Sequence, residues 1–287
     1  MTAVFKHELR MYFQSLTAYV FGAFLLVIVG IGAMLYNLQA AVSNFEYVLS
    51  FASIIYAIIV PILTMRVIAE ERRQKTDQLL YSLPISTLQV ILGKYLALLT
   101  VFAIPLCIIS VYPVIFAQYG DVYLPTSYGS IIAFFLMGAA LIAVGVFISS
   151  LTDNQGFAAG VCVAVILFNY FSVTLSEYVS STANGSALTL FVLAAGVGLL
   201  IHYLTRNDTL ACTVGFTLMA VVVLAYFVNG SMFEGLLPEI MTTLSLFERL
   251  DVFVNGVFDL TAVTYYLSVA VFFLFLSVQS LEKRRYN

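Results

Sequence analysis

Long apolar runs separated by short polar segments dominate the pattern of this chain. Each run holds about 18 residues or more, enough for a helix rising about 1.5 Å per residue to cross a hydrocarbon core of about 30 Å. The pattern therefore predicts an all-α polytopic membrane protein with about eight transmembrane helices. The predicted spans are residues 17–36, 47–65, 91–116, 129–150, 157–175, 187–204, 210–228 and 262–281.

Two features of these runs carry further structural information. The segment 91–116 contains Pro105 and Pro113. Each proline removes a backbone hydrogen bond, so a kink or a break is expected there. Only residues 205–208 separate the sixth run from the seventh, which predicts a tight helical hairpin over 187–228.

Residues 1–16 precede the first run and have the pattern of an amphipathic helix. Apolar positions recur at helical spacing, and the basic positions lie on the other side. The apolar positions are Phe5, Leu9, Tyr12, Phe13 and Leu16, and the opposite side carries Lys6, Arg10 and Gln14. Such a helix can lie in the headgroup plane of a membrane. A short extension of the first transmembrane helix is the alternative.

Composition agrees with a membrane protein and argues against one class of partner. The chain is 62 % hydrophobic and only 9 % charged, whereas a soluble domain is about one quarter charged. Its net charge of −3 provides no basic surface for nucleic acid. With the N-terminus in the cytoplasm, all but Arg249 of the 12 basic residues fall in cytoplasmic segments. The positive-inside rule then places both termini and residues 66–90 in the cytoplasm.

The sequence contains no recognisable catalytic or metal-binding motif. His7 and His202 have no partners at ligand spacing, and no G-x-x-x-x-G-K-[ST] motif for binding a nucleoside triphosphate is present. The three cysteines fall inside apolar runs and are interpreted as helix-packing residues. Ionisable residues are nearly absent from the spans. This argues against a proton- or sodium-coupled carrier and against a simple ion channel.

The fifth predicted span, 157–175, is the most polar one. It contains Asn169, Tyr170 and Ser172. These side chains are candidates for lining a translocation path, and hydrogen bonding between helices is the alternative. The residues alone leave both interpretations open.

Charged residues concentrate between the second and third spans, within residues 66–90. The polar part contains Glu70, Glu71, Arg72, Arg73, Lys75, Thr76 and Asp77, and an apolar part with Leu79, Leu80, Leu83 and Pro84 follows. The leucines cover one side of a short helix, which favours docking of a soluble partner. A polar loop that only sets the topology is the alternative. If the charges are exposed, replacing Glu71 by lysine is expected to cost only about 0–1 kcal/mol.

Residues 69–97, AEERRQKTDQLLYSLPISTLQVILGKYLA, resemble the cytoplasmic loop of ABC-2-type transporter permeases. The positions that match the family pattern are Glu70, Glu71, Thr76, Leu79, Leu80, Pro84, Gly93 and Lys94. Gln78 departs from it, since many relatives carry glutamate two places after the threonine. Residues 256–287 are similar to the last span of the gliding-motility permease subgroup, and the resemblance extends over nearly the whole chain.

The resemblance implies the permease subunit of an ATP-driven ABC exporter in the plasma (cell inner) membrane. In that family the loop forms a coupling helix that docks into a separate cytoplasmic ATPase. ATP and magnesium bind in that partner, so no cofactor is expected in this chain. Two ATPases assemble with two permeases, here a second copy or a paralogue. An extracytoplasmic accessory protein is a further candidate partner.

The family core of six spans also implies an organisation for this chain. Residues 1–287 would form a single ABC-2-type transmembrane domain. Its parts would be an interfacial helix (1–16), a cytoplasmic coupling loop (66–90), an additional hairpin (187–228) and a re-entrant, extracytoplasmic helical segment before the last span (229–261).

Two other function classes stay open on the residues alone. One is a non-transporting membrane scaffold that anchors a partner complex through the same loop. The other is an intramembrane enzyme, for which no catalytic pair can be named. The chain is therefore not expected to be an enzyme by itself.

Overall fold

The computed structural model describes residues 1–75, 85–179, 181–205 and 208–285. Within these residues all regular secondary structure is helical. In chain order the α-helices are α1 (Thr2–Gln14), α2 (Leu16–Ala33), α3 (Glu46–Ser53), α4 (Tyr56–Thr64), α5 (Ala69–Gln74), α6 (Thr87–Ile109), α7 (Tyr112–Phe116), α8 (Leu124–Leu151), α9 (Gln155–Tyr178), α10 (Ala183–Thr205), α11 (Asp208–Val228), α12 (Leu236–Thr243), α13 (Leu246–Val254) and α14 (Leu260–Arg285). A π-helical turn, Met34–Gln39, extends α2, and a 3-10 turn, Gly230–Phe233, precedes α12.

Five helical segments of the described chain are long and apolar enough to cross a membrane. They are Leu16–Gln39, Thr87–Phe116, Leu124–Leu151, Gln155–Tyr178 and Leu260–Lys283. A sixth candidate is the pair Glu46–Ser53 and Tyr56–Gln74, which is bent by 61° at a short break. The prediction of an all-α polytopic membrane protein is confirmed. In the region of the predicted hairpin, the described chain contains two shorter apolar segments, Ala183–Gly196 and Cys212–Val228.

The third predicted span is interrupted near one of its two prolines. Helix α6 ends before Ser110, and Pro113 lies in the first turn of α7, where its missing N–H group costs no helical bond. Pro105, in contrast, lies inside the continuous α6. The expected break is therefore present at the second proline.

The second predicted span is also interrupted, which the sequence analysis did not predict, although Pro61 lies in the later part of this span. At the junction of α3 and α4 the N–H of Ala57 donates to the carbonyl of Ile54 (3.0 Å), and the N–H of Ile58 donates to that of Ile55 (2.9 Å). These bonds join residues three apart, tighter than in an α-helix. The chain changes direction at this tight turn, so one apolar run forms two helices.

By contact, the described residues divide into two compact units. The first contains residues 1–170 and the chain from 249 onward, and the second contains Phe171–Glu248.

Helix α8 is the most enclosed of the long helices in the first unit. Of its most apolar stretch 78 % is buried, against at most 39 % in the other four spans. Glycines allow neighbouring helices to approach it closely. A Cβ on Gly138 would lie 2.5 Å from the ring of Phe102 in α6, and a Cβ on Gly145 would collide with Thr64 in α4.

Two tyrosine hydroxyls also connect neighbouring helices to α8. Tyr56 Oη of α4 donates to the carbonyl of Phe134 (2.6 Å), and Tyr95 Oη of α6 donates to the carbonyl of Ala139 (3.0 Å). All four residues are buried, and a buried hydroxyl is tolerated when it has such a partner. Helices α4 and α6 thus pack on α8 in a defined register.

The second unit contains helices α10 and α11, which pack against each other. A Cβ on Gly215 of α11 would lie 3.2 Å from the Cα of Gly198 in α10, so the two backbones approach closely. His202 Nδ1 and Asp208 Oδ1 are 2.9 Å apart near the connection between the helices. After α11 the chain forms short helical pieces, the 3-10 turn, α12 and α13, before α14 begins.

Candidate functional site

The charged segment that follows the second predicted span begins as a short helix, α5, held against α8. Ser149 of α8 makes this attachment, because its Oγ accepts hydrogen bonds from the N–H groups of Ile68 (3.2 Å) and Ala69 (3.1 Å). The first N–H groups of a helix have no partner within it, and the buried Ser149 hydroxyl satisfies two of them. Helix α5 ends at Gln74 and is followed by its C-terminal cap, Lys75, whose φ of 57° is left-handed.

Lys94 joins three helices that are far apart in the sequence. Its Nζ, at the start of α6, lies 2.6 Å from Glu8 Oε1 of α1 and 2.6 Å from Glu71 Oε1 of α5. The side chains of Lys94, Glu8 and Glu71 are 2 %, 5 % and 24 % exposed. Both distances are typical of short, charge-assisted hydrogen bonds. We call these three residues the Lys94 cluster.

The residue before Lys94 explains how α1 comes close enough to bind it. A Cβ at Gly93 would lie 3.0 Å from the side chain of Val4 and 3.3 Å from the carbonyl of Met1. A larger residue would push α1 away from α6. The Gly93–Lys94 pair therefore has two complementary roles, because the glycine admits α1 and the lysine binds it.

Burial makes the charge balance of the Lys94 cluster important. Taking an ion out of water costs several kcal/mol, and only a well-formed pair offsets that cost. The cluster places two carboxylates around one ammonium group. Glu71 keeps contact with water and Glu8 almost none, so Glu8 is the carboxylate whose burial depends most on the pair with Lys94.

Tyr12 lies beside these carboxylates, one helical turn after Glu8. Its Oη donates to the carbonyl of Leu63 at 3.4 Å. Burial, and after it the negative charges of Glu8 and Glu71, raises the pKa of Tyr12 well above its usual value of 10.0. The phenol is therefore neutral and acts as a hydrogen-bond donor.

Arg72 is buried, which corrects the expectation that the charges of this loop are exposed. Its side chain is 2 % exposed, and its Nη1 lies 3.9 Å from Asp153 Oδ1 in the turn between α8 and α9. The same correction applies to Glu71, which binds a buried lysine. Both residues attach α5 to the membrane helices. Their burial is tolerated because an opposite charge lies close to each of them.

The remaining predicted loop residues lie on the surface or in the part of the chain that is not described. Arg73 and Lys75 are exposed, and the partly exposed Glu70 accepts a hydrogen bond from Gln74 Nε2 at 3.2 Å. Thr76, Asp77, Leu79, Leu80, Leu83 and Pro84 lie outside the described residues. The leucine face therefore stays a prediction.

The candidates for a translocation path lie in the second half of α9. Ser172 is buried there, and Asn169 and Tyr170 are partly exposed. A role for them in transport stays a prediction.

Sequence analysis did not single out Glu8, although the pattern of α1 contains an indication. Glu8 follows Phe5 by three residues and directly precedes Leu9, so it falls on the apolar face of the helix. An acid on such a face requires a buried partner, because a lone buried carboxylate is costly. The sequence of α1 alone does not identify that partner.

A second set of buried polar contacts lies near the other end of α8. Ser127 Oγ donates to Glu46 Oε1 (3.2 Å), and Ser130 Oγ donates to the carbonyl of Phe253 (3.1 Å). Since a helix rises about 1.5 Å per residue, Ser127 and Ser149 are about 33 Å apart. Helix α8 thus attaches α5 near one end, and α3 and α13 near the other.

Among the described residues no three His, Cys, Asp or Glu side chains come together in a way that could hold a metal ion. The polar contacts described above are ion pairs and hydrogen bonds between helices. These contacts attach one helix to another.

Comparison with known families identifies the family of this chain. A family model described as ABC-2 family transporter protein matches residues 28–228, more than half of the 287 residues. The chain belongs to the ABC-2 transporter family. It is thus a multi-pass membrane permease of the ABC-2 type, a family that works with an ABC ATPase and holds no cofactor of its own. No curated protein matches the chain. The matched residues include α5 and α6 with Lys94, and α1 precedes them.

Proposed function

We propose that this ABC-2 permease is the membrane subunit of an exporter, driven by a separate ATPase that docks on the loop 66–90. The observation that carries the proposal is the contact of 2.6 Å between Glu71 and Lys94. A loop that only sets the topology needs basic residues and no buried connection to the membrane helices. A loop that transmits movement needs such a connection, and α5 has one to α6 and another to Ser149 of α8.

In the proposed orientation both termini and the loop face the cytoplasm, and the protein lies in the plasma (inner) membrane. The distribution of basic residues supports this orientation, with Arg249 as the exception. Arg66, Arg73 and Lys75 are exposed around α5. Their side chains are available for the acidic groups of a cytoplasmic partner or of lipid headgroups.

The proposed partner is an ABC ATPase in two copies, which would bind ATP and magnesium, together with a second permease copy or a paralogue. The sequence of this chain contains no phosphate-binding loop of its own. The predicted face of Leu79, Leu80 and Leu83 supports docking, since apolar anchors at the centre of an interface provide most of its affinity. In this proposal the chain is not an enzyme by itself.

The export direction and the subgroup rest on the family resemblance. Residues 256–287, which are similar to the last span of gliding-motility permeases, follow the region that the family model matches. The short helices α12 and α13 would lie on the extracytoplasmic side, where they are candidates for contact with an accessory protein.

Co-expression of the full chain with the ABC ATPases of the same organism tests the proposal. One ATPase is expected to co-purify and to hydrolyse ATP in a vanadate-sensitive way in the complex, whereas the permease alone hydrolyses none. ATP hydrolysis by the homogeneous permease, or failure of every ATPase to bind, would refute the proposal. Binding with no effect of either subunit on the other would favour the membrane scaffold. An ATPase that lacks its phosphate-binding lysine is the control.

A further inference from the structure

We infer that Lys94 is a positioning residue that makes α1, α5 and α6 move as one body when the coupling loop is displaced. The inference rests on the proposed function, because it concerns how movement of the loop reaches the membrane helices. It also assigns a role to the N-terminal helix, which would belong to the moving assembly as well as to the membrane surface.

The first argument concerns the size of α5. It has only six residues, and so short a helix is unstable without external contacts. Ser149 and Asp153 attach α5 to α8 and to the turn that follows it. Glu71 attaches α5 to α6 and, through Lys94, to α1. A displacement of α5 is therefore passed to two further helices through one ammonium group.

The second argument concerns the number of carboxylates. Glu8 alone would neutralise Lys94 and satisfy the requirement that a buried charge be paired. A second carboxylate is therefore not needed to neutralise Lys94. That carboxylate, Glu71, comes from the loop and is the more exposed of the two. Glu8 is thus the permanent counterion of Lys94, and Glu71 is the attachment for the loop.

The third argument concerns the part of the chain that follows Lys94. Lys94 lies about two turns into α6, which is continuous to Ile109, and α7 then leads to the connection that contains Tyr119. The continuous helix carries a displacement at Lys94 to its other end, about 22 Å away at about 1.5 Å per residue. Tyr119 is 86 % exposed, so a reporter at this position does not disturb packing.

The experiment uses the complex with its ATPase in lipid nanodiscs, which leave both faces of the membrane open to reagents, and a Tyr119→Cys reporter. Cys107, Cys162 and Cys212 are replaced by alanine. A membrane-impermeant maleimide then measures the labelling rate at position 119, without nucleotide and after trapping with ATP and vanadate. Trapping is expected to change the rate in the chain with Lys94, and the difference is expected to disappear in Lys94→Met. Lys94→Arg keeps the charge and should retain the difference.

Two further variants separate a positioning role from a merely stabilising one. The neutral set, Glu8→Gln with Glu71→Gln and Lys94→Met, removes the three charges of the Lys94 cluster together, so neither Glu8 nor Lys94 is left buried without its counter-charge. It is expected to bind the ATPase and to trap nucleotide, with no response at position 119. Lys6→Met removes the same charge from an exposed position of α1 and should respond like the chain with an intact Lys94 cluster.

Three outcomes would overturn the inference. They are a normal response in the neutral set, a response in Lys94→Met that equals or exceeds that of the chain with Lys94, and the absence of any nucleotide-dependent change at position 119 when Lys94 is present. Failure of the proposed function would be seen separately, because no ATPase would then co-purify with the unmodified chain.

Discussion

The ammonium group of Lys94 and the carboxylate of Glu8 are 2.6 Å apart, although 86 residues separate them in the chain. The pair fastens the N-terminal helix to a membrane-spanning helix, and both side chains are almost fully buried. The side of α1 that carries its apolar residues is therefore packed against the protein at this point. The energetics of the pair lead to a first prediction.

Lys94→Met should lower the free energy of unfolding by about 3–5 kcal/mol, because it leaves Glu8 buried without a counter-charge. Adding Glu8→Gln should recover part of this loss, since the uncompensated charge disappears. Equilibrium unfolding of the purified chain in detergent, followed by helix content, measures both values. Equal stability of the single and the double variant would show that the pair is not energetically coupled.

Gly138→Ala should destabilise the first unit, by about 1–3 kcal/mol on the usual scale for overpacked cores. Its new methyl group would lie 2.5 Å from the ring of Phe102. Gly160→Ala is the matched control, because no atom lies within 4 Å of its added Cβ. That change should be neutral or stabilising by up to about 1 kcal/mol, as alanine favours helix. Equal thermal shifts for both variants would contradict the packing described for α8.

Tyr12→Phe should make the protein less sensitive to alkaline pH. The pKa of Tyr12 is raised in the folded state, while the unfolded chain ionises near the ordinary value of about 10. The stability contributed by the neutral phenol is therefore complete below about pH 10 and is lost as the pH rises through the folded pKa. Unfolding midpoints at about pH 8 and about pH 11 should differ less in Tyr12→Phe.

The control for this measurement is Tyr119→Phe, at a tyrosine that is 86 % exposed. It should show the same alkaline loss of stability as the unmodified protein. If Tyr12→Phe behaves like this control, Tyr12 makes no contribution to the pH dependence.

A membrane-impermeant thiol reagent should modify Tyr123→Cys in intact cells and spare Lys75→Cys. Both positions are exposed in the structure, so a difference in labelling reports the side of the membrane and not burial. The expectation follows from the proposed orientation, with residues 66–90 in the cytoplasm. Permeabilised cells, in which both cysteines should react, are the control. Efficient labelling of position 75 from outside would reverse the topology.

Leu80→Asp should abolish binding of the ATPase at unchanged expression of the permease. A carboxylate without a partner at the centre of an interface costs several kcal/mol. Gln74→Asp adds the same charge at an exposed position of α5 and should keep the ATPase bound. Co-purification at matched membrane levels measures the effect. Retention of the ATPase by Leu80→Asp would exclude the leucine face as the docking surface.

Glu71→Lys is not the mild variant that an exposed loop would imply. The structure places Glu71 Oε1 2.6 Å from Lys94 Nζ, so a lysine there would bring two ammonium groups together. We therefore expect this variant to disturb the contact of α5 with α6 more than a surface charge reversal would.

The class of protein and the position of the loop could be predicted from the sequence because both depend on local composition. A run of apolar residues spans a membrane whatever its neighbours are. The concentration of charge within residues 66–90 likewise indicates a segment outside the membrane. The break near Pro113 could be predicted for the same reason, since a proline cannot donate a helical hydrogen bond, although the continuous α6 accommodates Pro105. The break between α3 and α4 was not predicted, although Pro61 lies in α4 just after it.

The apolar runs alone thus determined that this chain is an all-helical membrane protein, and the motif around Gly93 and Lys94 indicated its family. Only the tertiary structure decided which charges of the loop are buried and what they bind. Lys94, Glu8 and Glu71 lie on three helices, and no periodicity within one helix shows which residue of another lies beside it. A buried ion pair is a contact between distant segments, so it is determined by packing and not by local sequence.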